Sequence, residues 1–225
     1  MNLEKKRIKF LNSFSKSVVI YNYDSSKNQK ERLANSLATL NIIWNYWNNF
    51  WRYFWITHVR GGRYFNNIQI KPITYNGRTL KKYNELQSTH YLLSKIKNNR
   101  HQYKESFHYQ RYENFTWGAY KSLEKMAYAL YEDNFNQLNS HSHLLSFLNI
   151  LGNYKNQIED FQIIRNSLIH LNQETISSLK NLINTKYIIG NQMKLIDVLE
   201  MTEINSQMKC FNYLTDNMRG LILNL

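Results

Sequence analysis

Arg165, Asn166 and His170 lie within one six-residue stretch, Arg165-Asn166-Ser167-Leu168-Ile169-His170. An arginine, an amide and a histidine are the side chains that metal-independent cleavage of an RNA phosphodiester would use. RNA carries its own nucleophile, the 2′-hydroxyl, so the protein need not activate a water molecule on a metal ion. It needs a group that exchanges a proton near neutral pH, and a free histidine titrates at about 6.5. It also needs a fixed cation on the phosphate as charge builds there. Arginine supplies that as a planar fork of donors that stays charged. Asn166 can orient His170 or donate to a phosphate oxygen. Transesterification takes both a base and an acid, whereas one helix carries one histidine. Two copies facing each other would supply both, so the chemistry anticipates a homodimer or higher homo-oligomer, with RNA as substrate and neither metal nor cofactor.

The element that must position these residues is a helix. At about 100° per residue, Ile158, Phe161, Ile164, Leu168 and Leu171 gather on one apolar stripe, as a core-facing helix requires. With Arg165 at zero, Asn166 falls at about 100° and His170 at about 140°, so amide and imidazole are neighbours at i, i+4. Glu159 lies at about 120°, two to three turns upstream, and is a possible supporting residue. The polar trio stands beside the stripe, not inside it. A second arginine and histidine, Arg52 and His58, are six residues apart and face different sides of their helix at about 240°. They do not form an equivalent pair.

The Arg-Asn-x-x-x-His spacing, set in YKNQIEDFQIIRNSLIHLN (residues 154–172), resembles the motif of the HEPN superfamily, helical proteins many of which are ribonucleases. The resemblance implies an all-α, HEPN-like helical bundle in which Arg165, Asn166 and His170 are catalytic. It implies two such motifs across a dimer cleft, leaving 2′,3′-cyclic phosphate ends without metal. Through the family it also implies a toxin or antiviral-defence effector with an antitoxin or regulatory partner. HEPN toxins paired with a nucleotidyltransferase often carry a tyrosine two residues after the histidine. Asn172 occupies that position here, which puts control through such a tyrosine in doubt. Some HEPN-like proteins are not nucleases, so the alternative is a non-catalytic nucleic-acid-binding or partner subunit.

Composition frames these readings. The chain has 225 residues, 43% of them apolar and 15% aromatic, enough for a buried core and unlike a disordered segment. One proline and seven glycines favour helices. The expected organisation is one HEPN-like domain over 1–225, with a basic N-terminal arm at 1–24, a loop or hairpin insertion at 63–79 and the motif helix at 154–172. Cys210 is the only cysteine, which excludes an intramolecular disulfide framework and points to a reducing, cytoplasmic setting. No apolar signal core follows the basic start, and no run is long enough for a membrane span. No phosphate-binding glycine loop, nucleophile elbow or internal repeat is present.

Charge is unevenly spread. Residues 1–125 carry a net +15 and residues 126–225 a net −2, within a total of +13. A basic front half suggests a surface for a polyanion, nucleic acid above all, with general solubility as the plainer explanation. Within it, Trp44, Trp47, Trp51, Trp55 and His58 recur at intervals of three and four on a long helix running to about Val59. Such a stripe stacks on bases or, more commonly, packs as core or subunit interface. Arg52, Arg60 and Arg63 lie off the stripe and are candidates for phosphate contact. Arg100, Lys104 and Arg111 are interleaved with tyrosines and a phenylalanine over 98–115, a pattern suited to single-stranded RNA or to a solvated helix face.

The remaining elements follow from local signals. Asp24, Ser25 and Ser26 are candidate caps for the long helix, and Gly61-Gly62 is its stop. The run Val18–Tyr21 suggests a strand or docking arm. Asn76-Gly77 signals a turn inside the insertion. Helices are expected at about 80–99, 116–133, 142–152, 154–171, 174–186 and 193–219. His141-Ser142-His143 reads as a helix start in preference to a metal pair, because no carboxylate or thiol at ligand spacing accompanies it.

Overall fold

The computed structural model describes residues 1–23, 28–75, 77–96, 116–133, 143–190 and 194–225. Among these residues the fold is all-α. The helices are α1 (Leu3–Tyr23), α2 (Gln29–Arg60), α3 (Glu85–Ile96), α4 (Tyr120–Asp133), α5 (His143–Asn153), α6 (Lys155–His170), α7 (Gln173–Lys186) and α8 (Cys210–Leu223). Among the described residues the strands form three two-residue antiparallel pairings, β1 (Gly62–Arg63) with β2 (Gln69–Ile70), β3 (Thr74–Tyr75) with β4 (Arg78–Thr79), and β5 (Tyr187–Ile188) with β6 (Thr202–Glu203), beside isolated bridges at Asn2–Arg63 and Thr202–Lys209. The chain forms two compact units. One comprises Met1–Phe10, Trp47–Gly152 and Leu225, and the other Leu11–Tyr46 and Asn153–Asn224.

The first unit is organised by the aromatic stripe of α2. Trp47, Trp51, Trp55 and Phe54 are fully buried, with Phe147 of α5 packed against Trp51 at 5.4 Å between ring centroids. The Trp47 indole N–H donates to the Gly118 carbonyl at 2.8 Å, so a large apolar ring is buried with its one donor satisfied. The stripe is therefore core, and its faces are not open to bases. His58 continues it, also fully buried. α2 stops where Gly61 takes φ +76°, a left-handed conformation that a side chain at this position would resist. The chain then forms two small hairpins, where the sequence reads as a loop or one small hairpin over 63–79. Asn76 lies outside the described residues, as do Asp24, Ser25 and Ser26. At the start of α2 it is the Asn28 carboxamide that accepts the Glu31 N–H, at 3.0 Å.

Two sequence expectations are corrected. Val18–Tyr21 is not a strand, because Leu3–Tyr23 is helical. The longer period wins: Leu3, Phe10, Phe14 and Ser17 line a buried face at helical spacing, while Val19 and Ile20 of the apolar run are exposed. The single helix expected at 193–219 is instead a 3-10 turn at Leu195–Glu200, the strand β6 and then α8. Glu203 is the cause. Its buried carboxylate accepts from the Ser206 backbone N–H and the Asn205 amide, organising a tight turn in which Gln207 reaches φ +57°. Burial alone would raise the carboxyl's pKa, but those hydrogen bonds outweigh it and hold it below the usual carboxylate range.

Residues 80–82 form a 3-10 turn before α3, which starts on a reciprocal cap. The Gln87 N–H donates to the Asn84 side chain at 2.8 Å, and the Asn84 N–H to the Gln87 side chain at 2.9 Å. In the second unit, α6 packs against α7 and α8, and Trp44 stacks on Phe161 of α6 at 5.5 Å. No helix among the described residues is long and apolar enough to cross a membrane.

Candidate active site

The motif residues occupy the last turns of α6. Ile158, Phe161, Ile164 and Leu168 are buried as the periodicity requires, Arg165 and Asn166 are half-buried and His170 is exposed. Leu171, placed on the stripe by angle alone, is 64% exposed. It lies beyond the helix, in a left-handed conformation at φ 34°, and so escapes the stripe. Asn172 then begins α7 by accepting the Thr175 N–H at 2.9 Å. Asn172 is thus a helix cap, committed to the α6–α7 corner.

That corner holds the motif in place. The Ser167 hydroxyl lies 2.7 Å from the Ile163 carbonyl and 2.6 Å from the Thr175 carbonyl, bridging α6 and α7. Two turns earlier, the Lys186 ammonium of α7 donates to both oxygens of Asp160, at 2.9 and 2.7 Å. Asp160 is almost fully buried. Desolvation pushes its pKa up and the ammonium pulls it down, with burial the stronger of the two. A buried pair of this kind adds little net stability, because desolvating the charges offsets much of their attraction. Neighbouring Glu159, the possible supporting residue, is half-buried on α6 and does not take part in that pair.

Arg165 is the organised member of the trio. One terminal nitrogen donates to the Asn166 carboxamide at 2.9 Å, and the other to the Asn41 carboxamide of α2 at 3.2 Å. Its Nε is buried without a hydrogen-bond partner, and no described carboxylate pairs with the guanidinium. Partial burial without a counter-ion lowers its pKa from the ordinary arginine value. Two amide oxygens orient the charge without neutralising it, which leaves it able to meet an anion. Asn166 thereby spends its oxygen on Arg165, so its amide N–H groups are what remain for a phosphate oxygen. Asn41 was not legible near the motif, since it lies 124 residues away in sequence.

The other sequence candidates lie in the first unit or outside the described residues. Arg52 is ion-paired with Glu85 at 3.2 Å, so its charge is partly answered. Arg60 and Arg63 border an open cleft by the first hairpin. Arg100, Lys104 and Arg111 lie outside the described residues, as does His141. His143 opens α5, and its Nε2 lies 2.8 Å from Nε2 of His58, whose Nδ1 faces the Phe54 carbonyl at 2.8 Å. A carbonyl can only accept, so Nδ1 of His58 carries a proton, and the contact between the two Nε2 atoms takes one further proton, on one ring or the other. Among the described residues no group of three His, Cys, Asp or Glu is arranged to hold a metal ion. Cys210 is no nucleophile, because burial pushes its thiol up to about 12.

Comparison of the chain with protein-family models, with curated proteins and with solved structures finds no match.

Proposed function

We propose that this protein is an endoribonuclease that cleaves RNA without a metal, through Arg165, Asn166 and His170, in the manner of a HEPN domain. The observation that carries the reading is the state of Arg165: half-buried, aimed by two amide oxygens, paired with no carboxylate among the described residues, and in the same helix end as an exposed histidine. Taking a guanidinium partly out of water without a counter-charge is unfavourable. A phosphate would supply that counter-charge.

In the proposed reaction His170 takes the proton of the 2′-hydroxyl as O2′ attacks phosphorus. Arg165, with the Asn166 amide, holds the non-bridging oxygens as negative charge grows on them. The P–O5′ bond breaks, and the leaving oxygen takes a proton from a second, protonated histidine. His170 of a second copy would supply it, so the active form is a homodimer or larger homo-oligomer. The products are a 2′,3′-cyclic phosphate and a 5′-hydroxyl end. Arg52, Arg60, Arg63, Arg100, Lys104 and Arg111 are proposed to hold the RNA chain. A toxin or defence role with an antitoxin or regulatory partner belongs to the same proposal.

Purified protein incubated with labelled RNA in EDTA tests this. Cleavage that leaves cyclic phosphate ends and disappears in His170→Ala is the expected result. Intact RNA with the wild-type protein, or equal cleavage by the variant, would overturn the catalytic reading. In that event the lone uncompensated arginine favours a non-catalytic nucleic-acid-binding subunit.

A further inference from the structure

Beside the first hairpin, in the unit that does not contain the motif, Met1, Asn2, Arg60, Gly61, Gly62, Arg63, Gln69, Ile70, Pro72 and Lys81 enclose an open cleft of about 570 Å³. Three of these residues are cationic and none is acidic. No described carboxylate pairs with Arg60, Arg63 or Lys81, and the buried Nε of Arg60 has no hydrogen-bond partner. From this geometry we infer a phosphate-binding site that takes phosphate groups of an RNA chain, held by Arg60, Arg63 and Lys81.

The fold brings Lys81 up beside Arg60 and Arg63, which are three residues apart in sequence. Arg60 is the last residue of α2, Arg63 sits on β1 and Lys81 lies in the 3-10 turn after β4. β1 is held on both sides, by β2 and by a parallel bridge from Asn2, with the Arg63 N–H donating to the Met1 carbonyl at 2.9 Å. So close an approach requires the paired glycines. A Cβ on Gly61 would come within 2.8 Å of Pro72, and one on Gly62 within 2.7 Å of the Met1 carbonyl oxygen. The cations are thus carried on a braced frame, though Arg63 and Lys81 are themselves exposed.

The end of α2 opposes anion binding, since a helix C-terminus carries roughly half a negative charge. That is small against three full positive charges, and the Val59 carbonyl there is already occupied by the Ile73 N–H at 3.0 Å. The volume suits a nucleotide-sized group better than a bare ion. The lining has no aromatic ring on which a base could stack, which favours recognition of the backbone over recognition of sequence.

This inference rests on the nuclease reading only in naming RNA as the source of the phosphate, and its test is separable from cleavage. Binding is measured with a 2′-O-methyl oligonucleotide, which lacks the nucleophile and cannot be cut. Arg63→Gln with Lys81→Gln is compared with the equally charged control Lys121→Gln with Lys180→Gln, all four positions being exposed. The cleft variant should weaken binding on the order of tenfold and lower the slope of log K against log salt by about 1.4, as loss of two single-strand phosphate contacts predicts. The control should change neither by as much. Calorimetric titration of wild-type protein with pyrophosphate should show binding that the cleft variant loses, which keeps the test decisive if oligonucleotide binding is spread over other surfaces. A preference for 5′-phosphate over 5′-hydroxyl oligonucleotides would assign the site to a chain end, and equal binding to internal phosphates. Equal losses in the two double variants, or no pyrophosphate binding by the wild type, would overturn the inference. Cleavage abolished by His170→Ala alongside an unaltered cleft variant would retain the nuclease and remove the site.

Discussion

Two helices of this protein carry an arginine followed within six residues by a histidine, and they use the pair in opposite ways. In α2, His58 is fully buried in an aromatic core, hydrogen-bonded to Phe54 and His143, while Arg52 on another face pairs with Glu85. In α6, His170 is exposed at the helix end and Arg165 is held by two amides, with no carboxylate among the described residues paired to it. The residue types are the same. What differs is their phase against the apolar stripe: His58 continues the stripe, whereas Arg165, Asn166 and His170 lie along its edge. A helix buries whatever falls on its inward face, and a histidine placed there must spend its nitrogens on neighbours. One placed on the edge keeps them for a ligand.

The comparison breaks most readily at the histidines. His170→Ala should reduce RNA cleavage by roughly 10²–10⁴-fold, the worth of general acid–base catalysis, and leave thermal unfolding unchanged. His58→Ala should do the reverse. Deleting a buried ring and its hydrogen bond to His143 should cost about 2–3 kcal/mol in denaturant unfolding, with cleavage per folded molecule retained. A catalytic defect in His58→Ala at full folding, or a large loss of stability in His170→Ala, would erase the distinction.

Smaller effects sharpen it. In the proposed reaction Asn41 would act only through Arg165, as a positioning residue. Asn41→Ala should lower kcat by on the order of tenfold with little change in KM, and Asn41→Asp, which would neutralise the guanidinium, should lower it further. Equal kinetics for wild type and Asn41→Asp would show that the arginine's charge is not used. The least effect is expected at Leu171. Replacing a left-handed leucine by glycine should raise stability by about 1 kcal/mol in thermal unfolding, by relieving strain at the α6–α7 corner. Destabilisation there would mean that the exposed side chain makes contacts that matter to folding.

Much of the scaffold was legible because its signals are local. The stop of α2 at Gly61 and the extent of α6 follow from periodicity and left-handed positions within a few residues. The break inside 193–219 was not, because a buried Glu203 and the pairing of β6 with β5 interrupt a chain whose local pattern permits a helix. Residues 1–24 misled for a related reason. The β-prone Val18–Tyr21 run is conspicuous locally, yet the wider helical spacing of Leu3, Phe10, Phe14 and Ser17 prevails once that face has something to pack on. At the candidate site the trio itself was readable, but its orienting partner was not.

The sequence by itself determined which residues share a helix face, because 3.6 residues per turn is a property of the backbone alone. That was enough to put Arg165, Asn166 and His170 together at the edge of a buried stripe. Only the tertiary structure decided what each face meets. It set Asn41 against Arg165, His143 against His58, and Arg60, Arg63 and Lys81 around one cleft. Contacts between distant segments depend on how helices pack, and no local spacing encodes that.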